Sequence, residues 1–290
     1  MSGEGAVPEA EMVSVGGASL WTESVGSGVP LVLAHGGPGL SNNLQAVAGM
    51  VGDIARVHLY DQRGSRRSSA GGPWDVETFV ADLDSLREHW GHERWIVGGH
   101  SWGAVLALFY AFAHPERTLG IVYMSGTAIR WGFQERVRAE RMSRLTSAER
   151  EELERLGEVL HKGGTEADRD RFLRLMWSTD FATRDAAAVL DPQPLYEFPR
   201  VEAVARAVHA DWKARFDAGI EDELRGLDLP VLVLHGDRDP DPDGAREVAE
   251  LAPLGEWAPL AGAGHSPWLE QPAAMRKRLR AFLGSIAERP

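Results

Sequence analysis

The stretch RWIVGGHSWGAVLALFYAFAHP, residues 94 to 115, changes its grammar halfway along. Its first part, RWIVGGH, is a short apolar run that ends in glycines, as a strand buried on both faces does. Its second part, GAVLALFYAFA, reads as a helix stopped by His114-Pro115. Between them lies Gly99-His100-Ser101-Trp102-Gly103, a G-x-S-x-G sequence. A serine displayed on a sharp strand-to-helix turn needs glycine on both sides, because a side chain at either position would clash with the turn. Five residues alone recur by chance, so the specificity lies in the strand before and the helix after. Ser101 is therefore expected to be a nucleophile. The backbone N–H of Trp102, just beyond it, is expected to be one donor to an oxyanion.

The same strand grammar recurs on either side. PLVLAHGG (30 to 37), RVHLYDQRG (56 to 64), LGIVYMSG (119 to 126) and LPVLVLHGD (229 to 237) are short apolar runs that feed glycine-bearing loops. Between the second of these and the quoted stretch lies a helical pattern, Val76 to Trp90, with Phe79, Val80, Leu83 and Leu86 on one face. Alternating strands and helices predict an α/β fold, a mostly parallel sheet with helices on both faces. MVSVGGASLWTESVG (12 to 26) reads as an antiparallel edge hairpin. From Thr127 to Leu227 the alternation gives way to charged helical sequence, with Thr146 and Glu149 placed as a capping box and Gly163 as a stop. The expected organisation is a core of residues 1–126 and 228–290 carrying an inserted helical cap, residues 127–227.

A second oxyanion donor is expected from the loop after an earlier strand, and HGGPG (35 to 39) occupies that place, with the Gly37 N–H as donor. A tight turn alone would also use such a run of glycine and proline. HGGPG, then DQRGSRRS (61 to 68), then GGHSWG resembles the proline iminopeptidase branch of the α/β-hydrolase superfamily, over nearly the whole chain outside residues 127–227. The resemblance implies the α/β-hydrolase fold, with the three elements as oxyanion loop, structural arginine turn and nucleophile elbow. Three departures stand out. Arg66 occupies a position where the branch carries glycine, and His100 one where many members carry Gly or Ser. The segment LMWSTDFAT (175 to 183) offers an aspartate, Asp180, where the branch uses a glutamate-bearing segment to hold a free amino terminus.

Superfamily order places an acid and then a histidine after the serine. His265, in the glycine-rich AGAGHSPWLEQP, resembles the branch's G-H-x-P-x-x-E-x-P segment and is expected to be the base. Of the other histidines, His35 belongs to the oxyanion loop, strand alternation turns His100 away from the nucleophile, and His114, His161 and His209 fall in helical sequence. In HGDRDPDPDGAREVAE (235 to 250) the pattern H-G-x-x-D selects Asp239 as the acid, with Asp237 next, and Asp241 and Asp243 as caps of the following helix. Counted from Asp239, the stretch also satisfies a calcium-loop pattern ending at Glu250. An EF-hand loop follows a helix, whereas this one follows an apolar strand. Pro240 and Pro242 stiffen it and Arg246 interrupts it, so no calcium site is expected.

Composition narrows the partners. The 290 residues carry 31 Lys and Arg against 43 Asp and Glu, a net charge of −12, which repels nucleic acid and anionic membrane. With no cysteine, disulfides, thiolate metal sites and a cysteine nucleophile are excluded. MSGEGAVPEAEM lacks the basic and apolar segments of a signal peptide, and the longest apolar run, Trp102 to Ala113, is too short to span a bilayer. The expectation is a cytoplasmic enzyme that needs no metal or organic cofactor and takes a small molecule or short peptide. Its substrate stays open between an N-terminal residue of a peptide or amide and an ester, lactone or amide of a small metabolite. Tryptophans 102, 131, 177, 212 and 268 suit either an aromatic pocket or packing between cap and sheet. Asp180, Glu197, Glu202 and Asp211 are the acidic residues that could meet a substrate ammonium. A binding protein on the same fold is opposed by the presence of serine, aspartate and histidine together.

Overall fold

Polar and apolar residues alternate through the first strands, and this alternation builds an edge hairpin. The computed structural model describes residues 9–187 and 198–288, beginning with β1 (Glu9–Val15) and β2 (Ala18–Gly26). These pair antiparallel through a turn at Gly16 and Gly17, both at positive φ. β3 (Val29–Ala34) follows, then helix α1 (Gln45–Val51), β4 (Ala55–Tyr60), α2 (Val76–His89), β5 (Trp95–His100), α3 (Trp102–Ala113) and β6 (Thr118–Met124). After six helices among the described residues come β7 (Val231–Gly236), α10 (Arg246–Leu251), β8 (Gly255–Leu260), α11 (Pro267–Glu270) and α12 (Pro272–Ala287). The six are α4 (Phe133–Ser143), α5 (Ser147–His161), α6 (Glu166–Ser178), α7 (Arg184–Ala187), α8 (Phe198–Ala218) and α9 (Glu221–Arg225).

The strands form one sheet in the order β1-β2-β4-β3-β5-β6-β7-β8. β2 joins β4 antiparallel, and every pairing from β4 to β8 is parallel. Successive residues of a strand face opposite sides, and β3 shows the result. Val32 and Ala34 enter one core cluster with α2 and α3, while Leu31 and Leu33 enter another with α1 and α12. Burial on both faces explains why these strands read as continuous apolar runs rather than alternating ones. Parallel strands also bring their C-terminal ends to one edge, where the loops after β3, β5, β7 and β8 collect.

The capping box of α5 forms as expected: Thr146 and Glu149 bond reciprocally, and Gly163 follows the helix at φ 106°. α6 carries a second box, Thr165 with Asp168. Both satisfy amides that the helix leaves free at its start. α8 packs through Val204, Val208, Trp212 and Phe216, spaced four residues apart and therefore on one stripe, against the cluster that holds α3. Among the described residues no helix is long and apolar enough to cross a membrane.

Candidate active site

Ser101 sits between β5 and α3 at φ 55° and ψ −118°, a backbone region that residues with a side chain rarely occupy. The flanking glycines make this turn possible. A β-carbon on Gly99 would lie 2.2 Å from the Gly103 carbonyl carbon, and one on Gly103 would lie 2.1 Å from the Ala34 oxygen. No real side chain fits either position, which is the physical content of the G-x-S-x-G spacing. Trp102 opens α3, so its N–H belongs to the first turn and has no partner within the helix.

The HGGPG loop lies against this elbow. Gly37 adopts φ 54° and closes a turn in which the Leu40 N–H donates to the Gly37 carbonyl at 2.9 Å. A β-carbon on Gly36 would come within 2.8 Å of His100 Nδ1 and 3.1 Å of Ser101 Cβ, so the loop backbone runs close beside the serine. Gln62, which no sequence motif singles out, ties loop to elbow. Its backbone N–H donates to His35 Nε2 (3.0 Å), its side-chain amide donates to the His35 carbonyl (2.7 Å), and its oxygen accepts from the Trp102 indole (2.9 Å). Burial holds the His35 ring below its ordinary pKa. The neutral ring accepts at Nε2 and donates from Nδ1 to the Gly36 carbonyl at 2.9 Å.

Two arginines fix the turn after β4. Arg63 makes a bidentate pair with Asp82 of α2 at 2.6 and 3.0 Å, with both side chains 3% exposed. Arg67 grips Asp61 at 2.6 and 2.9 Å while its guanidinium lies over the Trp21 ring. Burial opposes the Asp61 charge, but Arg67 and the Asn42 N–H keep its carboxyl below the usual range. Burial wins at Asp82, whose carboxyl is raised despite Arg63.

At the far side, the loops after β7 and β8 bring Asp239 and His265 together. His265 Nδ1 donates to Asp239 Oδ2 at 2.6 Å, and Asp239 Oδ1 accepts from the Asp241 N–H at 3.0 Å. Desolvation would lower the His265 pKa, but the Asp239 carboxylate outweighs it and the imidazole is raised above its ordinary 6.5. Asp239, 4% exposed, is pushed up by burial and drawn well below the usual carboxylate range by His265 and His235. Among the described residues the Ser101 hydroxyl has no hydrogen-bond partner. The aspartate–histidine bond is made while the serine waits on the elbow, and such contacts often tighten only around a substrate.

His100 lies against the histidine loop: its ring is 4.7 Å from that of His265, and its Nε2 donates to the His265 carbonyl at 2.8 Å. Asp241 and Asp243 do not cap α10, which begins after Ala245 with no side-chain cap. Asp241 instead pairs with Arg136 of α4 at 2.9 Å, and Asp243 with Arg246. Two of the four candidate ammonium acids already have partners. Asp180 pairs with Arg141 at 2.7 Å, and Asp211 accepts from the Val76 N–H and pairs with Arg215. Glu202 lies on α8, partly exposed, and Glu197 lies outside the described residues. Asp237 accepts from the Gly262 N–H at 2.7 Å. With these aspartates divided among different partners, no group of three acidic or histidine side chains among the described residues could hold a metal ion.

The tryptophans mostly pack. Trp212 of α8 meets Trp102 at 5.3 Å and Trp131 edge-on at 5.2 Å, which joins the inserted helices to the elbow helix. Trp268 stands edge-on to His100 at 4.7 Å.

A family model described as alpha/beta hydrolase fold matches residues 29–272. Proline iminopeptidase from Neisseria gonorrhoeae is 39% identical over 109 residues, which are 35% of this chain and 34% of that protein. The chain thus matches about a third of that relative's length. Proline iminopeptidase from Lactobacillus delbrueckii subsp. lactis is 28% identical over 280 residues, 88% of this chain and 90% of that one. Among solved structures, a thermophilic esterase from Thermogutta terrifontis superposes with a TM-score of 0.72 at 21% identity, covering 96% of this chain and 99% of its own. Proline iminopeptidase from Mycobacterium smegmatis gives 0.70 at 22%, with the same coverage.

Proposed function

The chain belongs to the α/β hydrolase fold family, and from that premise we propose that it is a serine hydrolase of the proline iminopeptidase-like branch, working through an acyl-enzyme. The observation that carries this reading is the 2.6 Å bond from His265 to Asp239, on the sheet edge that also presents Ser101 on its strained turn. His265, neutral at Nε2, takes the Ser101 proton as the hydroxyl attacks the substrate carbonyl. Asp239 holds the ring in the tautomer with its proton on Nδ1 and stabilises the imidazolium that forms. The Gly37 and Trp102 amides receive the oxyanion. His265 then returns the proton to the leaving group, and water, activated the same way, releases the acid and frees Ser101. Residues 127–227 act as a cap over this edge.

In the branch's specificity, the substrate is an N-terminal residue of a small peptide or amide. A second reading keeps the same chemistry for an ester, lactone or amide without a free amine. It is favoured by one observation: Asp180, one of the four acids that could meet an ammonium, is already paired with Arg141. Hydrolysis of proline β-naphthylamide, its N-acetylated form and p-nitrophenyl acetate separates the two. Cleavage of the free-amine prolyl substrate alone supports the aminopeptidase. Activity on the ester alone discards that specificity and keeps the site.

A further inference from the structure

Resting on the reading of His265 as general base, we infer that the cap segment Thr179–Ala182 is a template for the catalytic-histidine loop, fastened by two positioning residues, Glu270 and Arg144. Docking of this segment then sets the turnover even of substrates too small to touch the cap.

The loop that carries His265 is held from more than one side. It runs through Gly262 and Gly264 between β8 and the short α11, and its start is tied to the loop after β7, where the Arg238 N–H donates to the Ala263 carbonyl at 2.9 Å and the Gly262 N–H to Asp237 at 2.7 Å. At His265 itself the anchors are the cap and the elbow. The His265 N–H donates to the Asp180 carbonyl at 2.7 Å. On the other side of the residue, the His265 carbonyl accepts from His100 at 2.8 Å. Both polar groups of the histidine's backbone are therefore held, one by the cap and one by the residue preceding the nucleophile.

Glu270 makes the second connection. One carboxylate oxygen accepts from the Gly264 N–H at 2.6 Å and the other from the Ala182 N–H at 2.7 Å, so a single side chain bridges loop and cap. The two backbones touch beneath it. A β-carbon on Gly264 would lie 2.2 Å from the Asp180 oxygen and 2.9 Å from the Ala182 nitrogen. Arg144, at the end of α4, makes the third: it donates to the Thr179 carbonyl at 2.9 Å and to the Asp239 carbonyl at 3.3 Å. Acid and base are thus registered against the same four residues, of which Thr179, Asp180 and Phe181 are buried. Arg141 steadies the Asp180 side chain from outside.

Glu270 and Arg144 touch no reacting atom in this scheme; they act through the position of the imidazole. Glu270→Gln keeps the shape but replaces one acceptor by an N–H that faces an amide donor. Arg144→Gln releases the segment from Asp239. With p-nitrophenyl acetate, whose acyl group has only two carbons, each variant is expected to lose roughly 10- to 100-fold in kcat, the scale of a misplacement near 1 Å, with KM unchanged. Turnover is normalised to the amount of folded enzyme, and the rate of Ser101 labelling by a fluorophosphonate should fall in parallel. Variants that melt like the wild type and keep its kcat would overturn the inference. Ser101→Ala and His265→Ala, run alongside, isolate the premise: if those keep their activity, the catalytic reading itself fails. Amide exchange in the wild type needs no variant to fold. The Ala182, Gly264 and His265 amides should exchange at one common rate, and release of the His265 amide while Ala182 stays protected would equally overturn it.

Discussion

Replacing Asp239 by asparagine alters a single atom and tests the site most sharply. In the wild type, Oδ2 accepts from His265 Nδ1 at 2.6 Å and Oδ1 accepts from the Asp241 N–H at 3.0 Å. An asparagine keeps only one acceptor. If its oxygen stays on the Asp241 amide, its NH2 points at Nδ1 and forces the imidazole proton onto Nε2, the atom that must receive the serine proton. If the amide flips, a buried donor faces a donor, which costs about 1–3 kcal/mol. The first arrangement is cheaper and removes the base. The expected loss in kcat/KM is about 10³–10⁴-fold, or about 4–5.5 kcal/mol of transition-state stabilisation.

The pH profile carries the sign. In the proposed mechanism His265 works only when neutral, and Asp239 raises it above 6.5, so wild-type kcat/KM should climb through a midpoint above 6.5 as pH rises. In the asparagine variant burial remains and the carboxylate is gone, so the midpoint of the residual activity should fall below 6.5. Stability follows the same pair. The Asp239 contribution is present above about pH 4 and lost on acidification, and that of His265 fades as pH rises through its raised value. An initial-rate series on p-nitrophenyl acetate from pH 5 to 9 measures both. An asparagine variant within tenfold of wild type, or an unmoved midpoint, would refute the assignment of acid and base.

Asp82→Ala leaves the Arg63 guanidinium buried without its partner. It should cost about 3–5 kcal/mol, seen as a fall in Tm of roughly 5–10 °C, and a shift under 2 °C would contradict the pairing. Millimolar calcium should leave Tm unchanged, because Asp239, Asp241 and Glu250 are committed to His265, Arg136 and Arg246. A rise with calcium concentration would show that the aspartate-rich loop rearranges around the ion.

What was legible in the sequence is what depends on neighbours along the chain. The Ser101 turn, the Thr146 capping box, the hairpin at Gly16 and Gly17 and the buried strands are all set by residues within a few positions of one another. What stayed hidden depends on approach through space. Gln62 has an ordinary side chain in an ordinary turn, and only the folded sheet brings it between His35 and Trp102. The Asp180 carbonyl carries no side-chain signature at all, because any residue could offer it. The contact of His100 with His265 was hidden too, because alternation fixes the face from which a ring leaves the strand, not what it meets there. Asp241 was misread because a carboxylate before a helix is a good cap only if no guanidinium from another element claims it first.

The order of the strands along the chain has a consequence for the protein as it is made. Ser101 leaves the ribosome with β3, β4 and β5 already synthesised, and β6 (Thr118–Met124), the other neighbour of β5, follows shortly after. Asp239 and His265 belong to β7 and β8, which add to the sheet only after the helices between β6 and β7 have been completed. At ordinary synthesis rates of about 5–20 residues per second, the roughly 160 residues from serine to histidine take on the order of 8–30 s. For most of that interval the chain holds the strands that flank Ser101 and lacks the residue proposed as its base. On the proposed mechanism, a ribosome stalled between β6 and β7 would therefore hold Ser101 without that base, and reactivity is gained only once the loop after β8 has joined the sheet edge.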